Sequence, residues 1–93
     1  MSRRRIRTEE VIAYLGVGEC SFLERLRQEG LFESDELAPE EAEELRLAKL
    51  LMEDLDVNAA GVDVVLHLRR RLFALEERAR ALADALEAAR RRP

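Results

Sequence analysis

Apolar residues recur at helical spacing in four stretches of this chain. Thr8-Glu9-Glu10-Val11-Ile12-Ala13-Tyr14-Leu15 reads as a short helix with Thr8 as its N-cap and two acids in the first turn, where the helix dipole favours them. Gly16-Val17-Gly18 ends it. A second helix is expected from about Glu19 to Gln28, burying Phe22, Leu23 and Leu26, with Gly30 just past its end and Leu31 as the apolar contact that follows. Phe32 to Ala38 is a short acidic connection. Pro39 suits the first position of a third helix, in which Leu45, Ala48, Met52 and Leu55 form the apolar stripe, assisted by Leu47 and Leu51. Glu40, Glu41, Glu43 and Glu44 crowd its positive end and read as a solvated helix start. Asp56-Val57-Asn58 breaks it, with Asn58 as N-cap of the last helix.

That last helix carries the strongest pattern. Val65, Leu68, Leu72, Leu75, Ala79, Leu82, Leu86 and Ala89 recur at alternating spacings of 3 and 4 with no Gly or Pro between them. At 1.5 Å per residue the seam runs for roughly 37 Å, too far for a head of about 60 residues to cover. Val62, Val64, Val65 and Leu66 are apolar nearly all round, so the first two turns are expected to pack on the head. Burying one Leu is worth about 1.5–3 kcal/mol, so the leucines beyond favour pairing with a second helix. A homodimer through Leu68, Leu72, Leu75, Ala79, Leu82 and Leu86 is expected, with its direction left open by the flanking Arg69, Arg71, Glu76 and Arg78. The fold class is therefore all-α: a head over residues 1–60 and a long helix over 61–93, head-packed at its start and a coiled-coil arm beyond.

Composition narrows the field further. The chain has 93 residues, one cysteine and no tryptophan, so it holds one modest core without a disulfide. No apolar run approaches the length of a membrane span and no signal-type segment follows the basic start, which points to a cytoplasmic protein. The net charge of −4 conceals a segregation: residues 8–63 hold sixteen acidic and four basic side chains, whereas residues 64–93 hold eight arginines and four acids. A middle segment at −12 repels polyanions and attracts basic surfaces.

Catalytic and metal chemistry find little support. His67 is the only histidine, so no Ser–His–Asp set can be assembled. Asp54-Leu55-Asp56-Val57-Asn58 opens like a calcium loop, but Ala59 stands where that loop turns on glycine and Val65 where it needs a bidentate glutamate. Cys20 reads as a small semi-buried residue. No enzyme activity, cofactor or metal is expected. The clusters Arg3-Arg4-Arg5-Arg7, Arg69-Arg70-Arg71 and Arg90-Arg91-Arg92 are the basic patches available to phosphates.

Ile6, Val11 with Ala13, Gly16-Val17, Leu23 and Gly30-Leu31 together resemble the helix-turn-helix pattern of the MerR superfamily. Val57-Asn58-Ala59-Ala60-Gly61-Val62, leading into an Arg-rich heptad helix, is similar to the corresponding stretch of the heat-shock repressor branch and of the CbpM-type chaperone modulators. DNA-binding members carry an arginine after the leucine of the second helix, then aromatic residues and a basic wing. Here Glu24, Arg25 and Leu26 occupy the first places, and Glu33-Ser34-Asp35-Glu36 is a short, negative remnant of the wing. An outward face of Ser21, Glu24, Arg25 and Gln28 brings no net positive charge to a groove.

The chaperone-modulator branch fits these departures better. The resemblance implies a homodimer that binds the basic J-domain of a DnaJ-type co-chaperone and restrains its stimulation of Hsp70. The acidic residues Glu19, Glu24, Glu29, Glu33, Asp35 and Glu36 are the expected contacts. The alternative is a DNA-binding regulator of the MerR or heat-shock repressor kind. Neither reading needs a membrane or a small-molecule substrate.

Overall fold

The computed structural model describes residues 4–18 and 21–92. Among them, four α-helices and one small ribbon follow in the order β1 (Ile6–Arg7), α1 (Thr8–Leu15), α2 (Phe22–Gln28), β2 (Glu36–Leu37), α3 (Pro39–Lys49) and α4 (Ala59–Arg90), with a π-helical extension of α3 over Leu50–Asp54. The ribbon was not expected. Ile6 pairs with Leu37 and Arg7 with Glu36 in antiparallel register, tying the start of the chain to the acidic connection. Two residues per strand leave no alternation for a sequence pattern to register.

Thr8 does not cap α1. It is the first helical residue, Arg7 holds the cap position without a side-chain bond, and the Thr8 side chain is buried. Its backbone N–H donates to the Asp35 carbonyl at 2.8 Å and its hydroxyl donates to the Ser34 carbonyl at 2.8 Å. Thr8 thus continues the ribbon's work, tying its amide and hydroxyl to two carbonyls of the connection. The helix ends at Gly16, whose φ of 64° lies in the left-handed region.

The second helix is shorter than expected, starting at Phe22; Glu19 and Cys20 lie outside the described residues. Phe22 and Leu26 are fully buried and Leu23 half-buried. At its far end the Leu31 N–H donates to the Leu26 carbonyl and the Gly30 N–H to the Arg27 carbonyl, both at 3.0 Å, with Gly30 at φ 77°. This paired bonding is a Schellman motif, and Leu31 packs into the core beside it.

In α3, Pro39 occupies the first turn and Glu41 Oε1 accepts the Ala38 backbone N–H at 3.0 Å. Leu45, Ala48 and Met52 are buried as the stripe required, but Leu55 is 61% exposed. The π-helical turn before it adds a residue per turn and swings Leu55 off the core face. Glu44 also departs from expectation, being buried rather than solvated. It accepts both Nε and Nη2 of Arg70, each at 2.8 Å, in a two-pronged pair that clamps α3 to α4.

The start of α4 is built from the Val57–Val62 run. Asn58 Oδ1 accepts the Gly61 N–H at 2.8 Å, so the expected cap is present. A Cβ on Gly61 would sit 2.7 Å from Val57 Cγ1 and 3.3 Å from Asn58 Oδ1, so glycine leaves room for both. Val62 and Leu66 then enter the core with Phe22, Leu26 and Leu45. Val64 does not join them: it is 57% exposed. From Arg71 to Arg92 every residue is exposed, and α4 runs beyond Phe73 for about 25 Å at 1.5 Å per residue.

Two substitutions test this launch point. Asn58→Ala should lower unfolding stability by about 1 kcal/mol through the lost cap. Gly61→Ala should also destabilise, because displacing Val57 and the cap outweighs the roughly 1 kcal/mol gain in helix propensity. Urea unfolding followed by far-UV circular dichroism reads both; a Gly61→Ala protein more stable than the parent would contradict the packing described.

Candidate partner-binding surfaces

Three surfaces of the molecule have the composition of interfaces. The first is the acidic face formed by α2 and the connection to β2. Glu24 on α2, Glu29 at its C-cap and Glu33 beyond are exposed and make no ion pair among the described residues. Asp35 and Glu36 are exposed as well, but each has a cation beside it: Arg27 Nη2 lies 3.5 Å from Asp35, and Arg5 Nε lies 3.9 Å from Glu36. Arg5 also donates to the Glu36 carbonyl at 3.2 Å. Of the six acids singled out from sequence, three therefore make no ion pair among the described residues, two are partly screened, and Glu19 lies outside the described residues.

Arg27 ties α2 to the connection that follows it. Its Nε donates to the Phe32 carbonyl at 2.9 Å and its Nη2 to the Ser34 carbonyl at 3.4 Å. The arginine is spent on bracing a connection in which Phe32 adopts a φ of 53°, a left-handed conformation that costs a side-chain-bearing residue about 1–2 kcal/mol. Burial of the Phe32 ring offsets that cost. Arg27 thus braces the connection while keeping its charge beside Asp35.

The second surface is the seam of α4. Leu68, Leu72, Leu75, Leu82 and Leu86 are between 48% and 64% exposed, and Ala79 lies in the same exposed row. The head covers a different face, through Val62 and Leu66, so Val65 is half-buried and the seam is open from Leu68 onward. Exposed pairs Arg80–Glu77 and Arg91–Glu87 lie along the helix and add little to its stability. His67 is solvent-exposed, with Nδ1 3.2 Å from Asp63 Oδ1.

The third surface was missed in the sequence. Two open clefts flank the first turns of α3. One, of about 400 Å³, lies between α1 and α3 and is floored by Ile6, Val11, Leu15 and Ala42, with Tyr14 on its wall. The other, of about 700 Å³, lies between α3 and α4 against Phe73, with Glu40 and Glu41 at its edge. Pro39 and Glu43 belong to both. The Glu43 carboxyl is held below its ordinary range by a hydrogen bond from Arg46. Arg70 is held above its ordinary value by its hydrogen bonds to Glu44. The signal that marks these clefts in the sequence is the aromatic count: Phe22 and Phe32 fill the core, and the remaining two aromatics, Tyr14 and Phe73, both line the clefts.

Among the described residues no group of three or more His, Cys, Asp or Glu side chains is placed to share a metal ion, and no helix is long and apolar enough to cross a membrane. Compared with known proteins, the chain matches no family model, no curated protein and no solved structure.

Arg27→Ala should loosen the acidic connection while leaving the helices in place. A loss of about 1–2 kcal/mol is expected. Hydrogen exchange should quicken at Thr8 and Glu36, whose amides are anchored there; unchanged exchange would mean that the ribbon alone holds the connection.

Proposed function

We propose that this chain is a dimeric chaperone modulator: a MerR-like helix-turn-helix head that binds the basic J-domain of a DnaJ-type co-chaperone and restrains its stimulation of Hsp70. In this reading α1 and α2 are the helix-turn-helix pair, the β1–β2 ribbon is the remnant of the wing, and α4 pairs with α4 of a second copy. The observation that carries it is the unneutralised trio Glu24, Glu29 and Glu33 on the face that a DNA-binding relative would turn to the major groove. Phosphates are repelled there, and a cationic helix is attracted. Masking follows directly: a J-domain whose basic helix is covered has no surface left to engage Hsp70. The row of exposed leucines supports the dimer, since each buried pair adds to an association that a lone head cannot supply.

Binding to a purified J-domain should weaken about tenfold or more between 50 and 300 mM salt. The double reversal Glu24→Lys, Glu33→Lys should abolish it without unfolding the head, because both side chains are exposed. Isothermal titration calorimetry reads both; normal affinity of the double variant would remove these residues from the interface. No complex at low salt, together with specific retention of promoter DNA in a gel shift at about 150 mM salt, would replace this function with transcriptional regulation. Sedimentation equilibrium should find a dimer, shifted to monomer by Leu75→Ser with Leu82→Ser.

A further inference from the structure

The leucine seam of α4 is bordered by charge of almost one sign. We infer that it receives an acidic, leucine-seamed helix of a partner protein, which takes the place of a second copy of this chain. The inference rests on the reading of α4 as a pairing surface and is independent of the partner proposed for the α2 face.

Heptad spacing decides which side chains border the leucines. Arg69, Glu76, Ala83 and Arg90 run along one flank, and Arg71, Arg78, Ala85 and Arg92 along the other, so five arginines stand against one glutamate. Arg71, Arg78, Arg90 and Arg92 are exposed and make no ion pair among the described residues. Arg69 lies 4.6 Å over the Phe73 ring, a contact that leaves its charge in place. The remaining acids of the arm do not screen these flanks. Glu77, Asp84 and Glu87 are carried away from the leucines by the helical turn of about 100° per residue, and Glu77 and Glu87 already hold Arg80 and Arg91. Between the flanks the apolar row is open, with Leu68, Leu72, Leu75, Leu82 and Leu86 each about half-exposed or more.

A second copy can cover the leucines, but it brings the same arginines with it. Flanking charges set partner choice in paired helices, and like charges brought together oppose the pairing. Running in the same direction, two arms gain one kind of attraction, Arg71 to Glu76 of the second copy, while Arg78 meets alanine. Running in opposite directions, the row Arg71, Arg78, Ala85 and Arg92 faces itself and holds no acid. A foreign helix with leucines at the same spacing and carboxylates beside them meets these arginines with opposite charge on both flanks. A phosphate backbone neutralises the arginines but leaves the leucine row in water, so nucleic acid satisfies only half of the surface.

The test uses the full chain and a fluorescein-labelled peptide of about four heptads with leucine at its seam positions and glutamate on both flanks, alongside a twin with lysine in place of each glutamate. Fluorescence anisotropy should show saturable binding of the acidic peptide, at least about tenfold tighter than that of the lysine twin. Sedimentation should show the acidic peptide displacing the second copy. Arg71→Glu with Arg78→Glu and Arg92→Glu should reverse the preference between the two peptides, a change that loss of folding cannot mimic. Leu75→Ser with Leu82→Ser should abolish binding, whereas Glu24→Lys with Glu33→Lys should leave the acidic peptide's affinity within about twofold of the parent. Equal affinity for the two peptides, a preference that does not reverse, or binding that survives the serine variant would overturn the proposal. A dimer that the acidic peptide fails to displace would also overturn it, assigning the seam to a second copy and leaving the dimer reading intact. Tighter binding to phosphatidylserine vesicles than to the acidic peptide would overturn it in favour of a membrane surface. A monomeric chain that binds the acidic peptide would support the proposal and remove the dimer reading alone.

Discussion

The seating of α4 on the head governs everything else in this molecule. A helix turns about 100° per residue, so burying Val62 and Leu66 fixes the azimuth of the whole rod. Those two side chains meet Phe22, Leu26 and Leu45, and Arg70 grips Glu44 one turn further along. The heptad leucines lie about a third of a turn away and are left facing water. Had the head used Leu68 and Leu72 instead, the chain would bury part of its seam and keep a smaller face for anything outside. The clamp is a costly one to break, because Glu44 without Arg70 is a buried carboxylate that has lost its ion pair.

Much of this architecture was legible from residue spacing. The heptad row, the Asn58 cap, Pro39 at the start of α3 and the glycine stops at Gly16 and Gly30 rest on local geometry, which a few neighbouring letters specify. Long-range pairing was not legible. Thr8 resembles an N-cap by type and position, and only the return of Ser34 and Asp35 beside it gives its hydroxyl and amide other acceptors. Glu44 resembles its solvated neighbours until Arg70, 26 residues later, arrives to bury it. Leu55 keeps its place in the stripe by counting, and loses it to the wider π turn that precedes it.

The acidic face illustrates the same limit for function. Counting charges gives the middle of the chain a large negative balance, yet the balance is not spread evenly. Asp35 and Glu36 have arginines at their side, Glu44 is inside, and Glu43 accepts hydrogen bonds from Arg46. What remains without an ion pair among the described residues includes Glu24, Glu29 and Glu33. Arg27 does two things at once, bracing the Phe32 and Ser34 carbonyls and screening Asp35. Sequence arithmetic sees formal charge, whereas a partner meets only the part left facing outward.

The Val57–Val62 run closes the circle between pattern and geometry. Its asparagine ties off the first turn of α4, and its glycine makes room for the valine tucked beneath it. Both are engaged within that turn, the asparagine in the cap and the glycine against Val57. A search keyed to those six letters would therefore gather proteins by how they launch a long rod from a small hub, while saying nothing of what the hub has come to hold.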